Sequence, residues 1–415
     1  MNKEQLLKEI EQQPIIQDFD DFLAYFDGKE VLLTKTSEQI NSKACFELNS
    51  NMFYQEKGVQ VKSKPTKYPL LLLLFELGKA SGLIEYLQVK SKRSIVRNEE
   101  AISYYESLNP TEKYFFLFQT FITEIDFERL TEDVFRLPNP EDIQSYFEES
   151  AKKEEDGNPY YHHSYVVTLS FEFFGWGDTI RDEKFAFIRS FTLNEIGKML
   201  ISTIVESRKP VFWNSYYFIA QQYLLWVNAD SFFFMNEQPE ISKEEFESML
   251  TSKEKEPFLL PFKGLLPENT LDKVRSFAQN EQKGVFYFKV YLYGKTSVWR
   301  KIAIDGSLSM EDLHFAIRQA YGLGKNEQAY IFCPNGNLDS YFKIVGKGTR
   351  ESGMRADLVP VKELKTKKFQ KMLLMFFTDT ERFDFDIVLE EVEENATLKK
   401  YKVLESKGNF GKLKK

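Results

Sequence analysis

The N-terminal half of the sequence carries hydrophobic runs of helical length, separated by polar stretches. The strongest run spans Pro69 to Ala80, where the proline suits the first turn of a helix and nearby glycines suit its end. A second run, Tyr114 to Ile122, follows an asparagine, a proline and a glutamate placed as helix-capping residues. The pattern predicts a mainly helical region over residues 1–205.

Two further stretches make a winged-helix arrangement one interpretation of this half. Tyr165 to Gly177 is strongly apolar and ends in turn residues, and its pattern fits either a strand or a buried helix. Phe191 to Leu200 predicts a short amphipathic helix. The region from Leu33 to Leu87 has a similar order of helical and apolar segments, although two-layer helical packing of other kinds produces the same pattern.

The residue composition of the sequence changes twice after residue 205. Residues 206–283 are aromatic-rich and then polar, with prolines towards their end, and are predicted to be a small packed segment and a connector. Residues 284–408 are rich in β-branched and aromatic residues, and residues 409–415 form a basic tail. Because 415 residues are too many for one ordinary core, this division predicts two or three domains.

The pattern of residues 284–408 predicts an α+β domain. Val285 to Tyr293 is typical of a strand, and a second strand begins near Val298. Ser309 precedes a helix with acidic residues in its first turn, and Gly322 ends that helix. Further strands are predicted at Ala329–Cys333, Phe369–Phe377 and Phe383–Leu389. This order predicts a curved sheet packed on one helix, in the manner of a β-grasp.

Composition and charge narrow the function classes. Hydrophobic residues make up 42% of the chain and aromatic residues 15%, which is enough to fill packed interiors. The formal net charge of −8 gives no general attraction to nucleic acid or to an anionic membrane. The most apolar run is shorter than the ~20 residues that span a bilayer, and the charged first residues do not resemble a signal peptide. The sequence therefore predicts no membrane partner and a cytoplasmic location.

The scarcity of cysteine and histidine argues against metal chemistry. Cys45 and Cys333 lie far apart, which argues against a disulfide framework and a cysteine-based zinc site. Two of the three histidines, His162 and His163, are adjacent, and adjacent side chains on a regular element point apart. The phosphate-loop, GxGxxG, GxSxG and HExxH signatures do not occur. We therefore predict no cofactor, no metal site and no catalytic residue set.

Three residues of the C-terminal region are candidates for binding. Trp299 and Arg300 offer ring stacking and bidentate hydrogen bonding, and the alternative is a core tryptophan beside an arginine that pairs across the sheet. His314 lies on or beside the apolar stripe of the predicted helix. A histidine there can act as a general base or a ligand, but it is more often a buried residue bonded to its neighbours.

Charged clusters provide the other candidates. Lys365, Lys367 and Lys368 belong to a basic cluster that can contact a nucleic acid backbone, and solvated surface is the alternative. A second basic cluster consists of Lys90, Lys92, Arg93 and Arg97. The acidic residues that could hold a cation are Asp379, Glu381, Asp384 and Asp386. For these acids, too, a solvated face is the commoner outcome.

The motifs of the C-terminal region follow one another in a recognisable order. A strand with Trp299-Arg300 is followed by a helix with Leu313-His314, and then by a strand with Tyr330 and Phe332. The helix also carries Ile317 and Gln319-Ala320-Tyr321-Gly322. In these positions the sequence resembles the plasmid pRiA4b ORF-3-like family, over residues 284 to about 408. The resemblance implies the α+β fold and an association with plasmids or transposons, and it implies no particular activity.

The sequence also departs from the pattern of that family. Leu323 follows Gly322 where the family has tryptophan, and Gln328 stands at the family's second histidine position. The family's acidic turn corresponds to Phe377–Phe383, which lacks the glycine. If relatives have a site built from histidine and aspartate, much of it is missing from this chain.

Three functions are consistent with these patterns. The favoured one is a non-catalytic protein that binds a macromolecular partner, either a protein or a nucleic acid. The second is a DNA-associated protein of mobile-element origin, with winged-helix recognition in the N-terminal half and the C-terminal lysines on phosphates. The third is a hydrolase that uses His314 and nearby acids. The absence of catalytic motifs favours the first.

Overall fold

A computed structural model describes the chain over most of its length and divides it into two compact units. The described residues are 2–34, 38–89, 92–130, 165–182, 187–207, 214, 257–274, 283–323, 327–338, 340, 342–346, 349, 351, 353–378 and 381–410. The first unit contains residues 1–218 and 255–279, and the second contains residues 219–254 and 280–415. Helices and strands are mixed, which confirms the predicted α+β class.

The first unit is mainly helical, as its sequence predicts. Its helices are α1 (Lys3–Glu11), α2 (Pro14–Tyr25), α3 (Ser42–Asn49), α4 (Pro69–Ser81), α5 (Glu99–Glu106), α6 (Pro110–Thr123), α7 (Tyr165–Phe173), α8 (Glu195–Ser207) and α9 (Thr270–Lys273). Its strands are β1 (Val31–Leu32), β2 (Ile84–Val89), β3 (Lys92–Arg97), β4 (Gly177–Asp182) and β5 (Phe187–Leu193). Within the described residues these strands form one three-stranded sheet and one hairpin.

Local capping decides where several of these helices begin. Asn109 accepts a hydrogen bond from the N–H of Glu112 (2.9 Å), and the carboxylate of Glu112 accepts one from the N–H of Asn109 (3.0 Å), as predicted for α6. The helix predicted over Phe191 to Leu200 begins later than expected, because residues up to 193 belong to β5. Asn194 then accepts a hydrogen bond from the N–H of Gly197 (3.0 Å), which starts α8.

The elements from α2 to β3 have the order and pairing of a winged helix. Strand β3 lies between β1 and β2, and both neighbours are antiparallel to it. Helix α4 directly precedes the β2–β3 hairpin, which is the position of the recognition helix in DNA-binding proteins of this type. The order helix, hairpin, helix recurs as α7, β4, β5 and α8. The ambiguous stretch that begins at Tyr165 is therefore a buried helix followed by a strand.

The second unit is built on a large sheet. Its elements are β6 (Val285–Leu292), β7 (Lys295–Asp305), α10 (Met310–Tyr321), β8 (Glu327–Cys333), β9 (Ile344–Val345), β10 (Met354–Arg355), β11 (Lys371–Thr378), β12 (Arg382–Glu393) and β13 (Lys402–Lys407). Among the described residues the strand order is β10-β9-β8-β11-β12-β6-β7-β13. All pairs are antiparallel except β9 with β10.

Helix α10 packs on one face of this sheet, as predicted. Ser309 caps the helix by accepting a hydrogen bond from the N–H of Asp312 (3.2 Å), and Gly322 ends it in the left-handed conformation (φ 62°). The ring of Tyr321 lies 4.7 Å from that of Phe385 in β12. Alternate residues of β6 are fully buried, which leaves the intervening residues for the opposite face.

Candidate functional site

Trp299 and Arg300 lie on opposite faces of β7, because successive side chains of a strand alternate. Arg300 is 7% exposed and donates hydrogen bonds to Ala320 O (2.8 Å) and Lys407 O (2.9 Å). Its guanidinium carbon lies 4.6 Å from the ring centre of Tyr321. Arg300 therefore joins the end of α10 to the last strand, and the structure does not bring it together with Trp299 as a binding pair.

Trp299 belongs to a band of aromatic and charged side chains on the face of the sheet opposite α10. This band, called the aromatic face below, consists of Tyr287, Lys289, Tyr291, Trp299, Lys301 and Glu390. All six side chains are half-buried. Strand pairing sets Tyr291 opposite Trp299 and Lys289 opposite Lys301. The face therefore presents rings and ammonium groups side by side on adjacent strands.

Glu390 allows the two lysines of the aromatic face to lie opposite each other. Like charges directly opposite on a sheet repel. Glu390 lies where the pairing of β12 with β6 shifts between Leu389 and Glu391, and its two carboxylate oxygens lie 3.3 Å from Lys289 Nζ and 3.3 Å from Lys301 Nζ. Burial lowers the pKa of Lys289, but the neighbouring Tyr291 and Glu390 outweigh burial and raise it. The carboxylate of Glu390 thus lies between the two ammonium groups and offsets their repulsion.

The ring of Trp299 is covered by one of these cations. Lys289 Nζ lies 4.2 Å from the ring centre of Trp299 and 5.7 Å from that of Tyr291. Lys301 Nζ lies 5.8 Å from the ring centre of Tyr287, whose hydroxyl donates a hydrogen bond to Glu393 (2.7 Å). These cation–π contacts order the rings at the surface before any partner arrives.

Lys365, Lys367 and Lys368 lie in the loop that leads into β11. Lys365 and Lys367 are half-buried and Lys368 is exposed. The N–H of Phe369 donates to the carbonyl oxygen of Leu389 (2.6 Å), one residue before Glu390 of the aromatic face. The structure therefore brings this basic loop to the border of the aromatic face, so four of the six candidate binding residues share one region.

His314 lies inside the packing between α10 and the sheet. The side chain is 1% exposed, and its ring is stacked on that of Tyr330, with ring centres 3.7 Å apart and planes at 4°. The ring of Phe376 lies 5.6 Å away. A histidine in this position has an aromatic partner where a general base needs a substrate or a water molecule.

His314→Phe is expected to change the free energy of unfolding by less than about 1.5 kcal/mol, because phenylalanine keeps the ring stack. His314→Ala is expected to cost about 2–5 kcal/mol through the cavity that it leaves. Urea unfolding of both variants, followed by far-UV circular dichroism, checks this. Equal losses for the two variants would show that the imidazole nitrogens, rather than the ring packing, maintain the site.

The two arginines of the basic cluster in the N-terminal half are paired with carboxylates. Arg93 binds Glu38, and its guanidinium lies over the ring of Tyr86. Arg97 lies 3.3 Å from Glu99 and is also close to the carboxylates of Asp27 and Glu106. Lys90 of this cluster lies outside the described residues. These arginines therefore form ion pairs within the unit.

Helix α4 is buried along its whole length. Every residue from Pro69 to Ser81 is buried, including Glu76 and Lys79, which form an ion pair (2.5 Å). A short 3₁₀ turn, Phe127–Leu130, packs against the helix, and its Arg129 interacts with Glu76. The helix in the recognition position is therefore covered by the chain itself, and it offers no polar face to a DNA groove.

Two of the remaining charged candidates, Asp384 and Asp386, lie beside basic side chains. Asp384 binds Arg382 through both carboxylate oxygens (2.8 and 3.0 Å), and Asp386 lies 3.5 Å from Lys371. His162, His163 and Asp379 lie outside the described residues. Among those described, no group of three metal-binding side chains occurs. In the same part of the chain, every helix is too short or too polar to traverse a bilayer.

Comparisons with known proteins add little. No family model matches the sequence. No curated protein matches it either. Among solved structures, the chain is similar to a protein of unknown function, MM3350 from Methanosarcina mazei Go1, at 16% identity. The match covers 30% of this chain and 69% of that chain, with a TM-score of 0.25, and it assigns no function.

The sequence did not identify most residues of the aromatic face as binding candidates. Trp299 was a candidate, but its neighbours on β6 and the bridging Glu390 were not. The signal was present in Val285–Tyr293, where tyrosine and lysine occupy the positions between the buried ones. Tyrosine is common in the cores of sheets as well as at their surfaces, so the pattern does not separate the two environments.

Proposed function

We propose that this chain is a non-catalytic binding protein whose aromatic face binds an acidic segment of a partner protein. The observation that carries the proposal is the ordered set of three rings and two lysines, half-buried on the side of the sheet opposite α10. Tyrosine and tryptophan contribute a large contact area at low entropic cost, and they dominate the binding energy of many interfaces.

Charge favours an acidic partner. Residues 284–415 carry 23 Lys and Arg against 17 Asp and Glu, although the whole chain has a net charge of −8. The basic loop with Lys365, Lys367 and Lys368 borders the aromatic face. A basic patch of this kind speeds the encounter with an acidic segment and fixes its orientation.

The same geometry favours a protein over nucleic acid. A stacked base needs an open ring face, and the ring of Trp299 is covered by Lys289. In the first unit, α4 is buried and Arg93 and Arg97 are paired with acids. These observations support the protein-binding function over the DNA-associated one. The burial of His314 argues against the hydrolase function.

Two accompanying proposals concern relationship and location. The motifs around Trp299, His314 and Gly322 support membership of residues 284–408 in the pRiA4b ORF-3-like family. Cys45 and Cys333 are both buried thiols. Buried thiols of this kind are usual in a reducing compartment, which supports a cytoplasmic location.

Selection of peptides from a displayed library rich in Asp, Glu and aromatic residues, using the full chain as bait, tests the function. Titration calorimetry with a selected peptide is expected to show that Trp299→Ala and Tyr291→Ala each weaken binding about 10-fold or more. Phe315→Ala is the matched control, because Phe315 is an exposed ring on α10, on the other side of the sheet. Its affinity is expected to equal that of the wild type.

Two outcomes would contradict the proposal. Selected peptides that bind Trp299→Ala and Tyr291→Ala as tightly as the wild type would place the binding site elsewhere. A salt titration against single- and double-stranded DNA and RNA provides the second comparison. Binding that weakens steeply with salt, and that is lost when Lys365, Lys367 and Lys368 are changed to Glu, would replace the protein partner with nucleic acid.

A further inference from the structure

A cleft of about 60 Å³ opens in the first unit, between the start of α4 and the α7–β4 segment. Its chemistry comes from two groups of side chains. Tyr54, Tyr68 and Phe173 supply aromatic walls, and Asn49, Glu56 and Arg181 supply polar groups. Ligand sites combine apolar walls with a few polar groups in this way.

Two opposite charges face each other in the cleft at more than hydrogen-bond distance. Arg181 Nη1 lies 3.7 Å from Glu56 Oε2, beyond the ~2.7–3.2 Å of a hydrogen bond. Arg181 is held from another side by Glu172, whose Oε2 lies 2.9 Å from Arg181 Nη2. The same oxygen accepts a hydrogen bond from the hydroxyl of Thr179 (2.5 Å). Arg181 is thus positioned by its own side of the cleft.

Glu56 is positioned independently by the opposite wall. Its backbone N–H donates to Asn49 Oδ1 (2.8 Å), and Asn49 Nδ2 donates to the carbonyl oxygen of Glu56 (3.0 Å). Burial raises the pKa of the Glu56 carboxyl, and the opposing effects of Arg181 and Lys67 do not cancel that rise. A ligand cation beside this carboxylate would oppose that rise in pKa.

The aromatic walls remain uncharged and lie close to these groups. The ring centre of Tyr54 lies 5.3 Å from that of Phe173. Burial raises the pKa of Tyr54 to about 12, so its hydroxyl stays protonated at neutral pH. The cleft therefore combines one fixed anion, one fixed cation and an apolar wall.

We propose that this cleft binds a free α-amino acid. The ammonium group contacts Glu56, the carboxylate contacts Arg181, and the side chain packs against Tyr54 and Phe173. The two charges of the ligand then complete a square of alternating charges with the existing pair. This site is independent of the aromatic face, which lies in the other unit.

Thermal unfolding of the full chain in the presence of each of the twenty amino acids tests the proposal, followed by titration calorimetry of the best ligand. At least one amino acid is expected to raise the melting temperature in a concentration-dependent way. Its N-acetyl and its amide derivatives, which each lack one charge, are expected to bind about 10-fold more weakly or worse.

Glu56→Gln is the main variant, because its contacts with Asn49 use the backbone and survive the change. It is expected to weaken binding about 10-fold or more, and Arg181→Gln is expected to do the same. Glu100→Gln, at an exposed position on α5, is the matched control with unchanged affinity. If no amino acid shifts the melting temperature, or if Glu56→Gln or the uncharged derivatives bind as well as the originals, the proposal is wrong.

Discussion

Trp176→Ala is expected to lower the free energy of unfolding of the first unit by about 3–5 kcal/mol, the range found for large aromatic residues in packed cores. Trp176 is fully buried, and its Nε1 donates a hydrogen bond to the hydroxyl of Tyr114 (2.7 Å). That hydroxyl donates in turn to Phe174 O (2.9 Å). Ring centres within 6.0 Å of the indole belong to Phe118, Phe121, Phe171 and Phe174. Alanine would leave a cavity at this junction of α6 and α7.

Urea unfolding followed by far-UV circular dichroism measures this loss. Tyr114→Phe removes only the hydroxyl and leaves the indole N–H without its acceptor, so it is expected to cost about 1–3 kcal/mol. Phe53→Ala is the control, because Phe53 is 69% exposed and its removal is expected to cost within about 0.5 kcal/mol. A loss of less than about 1 kcal/mol for Trp176→Ala would mean that this aromatic cluster does not maintain the unit.

Arg300→Ala is expected to destabilise the second unit by about 1–3 kcal/mol, the cost of leaving buried acceptors without their donor. The change would leave the carbonyl oxygens of Ala320 and Lys407 without their donor, and Tyr321 without its cation. Arg300→Lys is expected to recover only part of the loss, because an ammonium group cannot donate in the fixed fork of a guanidinium.

Hydrogen exchange resolves where the Arg300 variant opens. The amides of β13 are expected to exchange faster, because Arg300 joins this edge strand to the end of α10. Arg382→Ala is the matched control: Arg382 pairs with Asp384 at the surface, where an ion pair contributes about 1 kcal/mol or less. Unchanged exchange in residues 402–407 of Arg300→Ala would contradict the anchoring role.

Local sequence signals predicted the elements of the second unit well. Ser309 and Gly322 mark the two ends of α10, and the strand pattern of Val285–Tyr293 corresponds to β6 with one additional residue. These signals work because capping and alternation depend on neighbouring residues in the chain. They failed for Tyr165–Gly177, where a continuous apolar run fits a buried helix as well as a strand.

The sequence by itself determined that this protein has a helical N-terminal half and an α+β C-terminal region, and it identified Trp299 as a candidate. Only the tertiary structure decided that Trp299 is half-buried on the face opposite α10, while Arg300 and His314 are buried. The aromatic face depends on the register of β6, β7 and β12, which brings Glu390 between Lys289 and Lys301 across about 100 residues of chain. Such pairing is set by packing over the whole sheet, and a shift of one residue would send every one of these side chains to the other face.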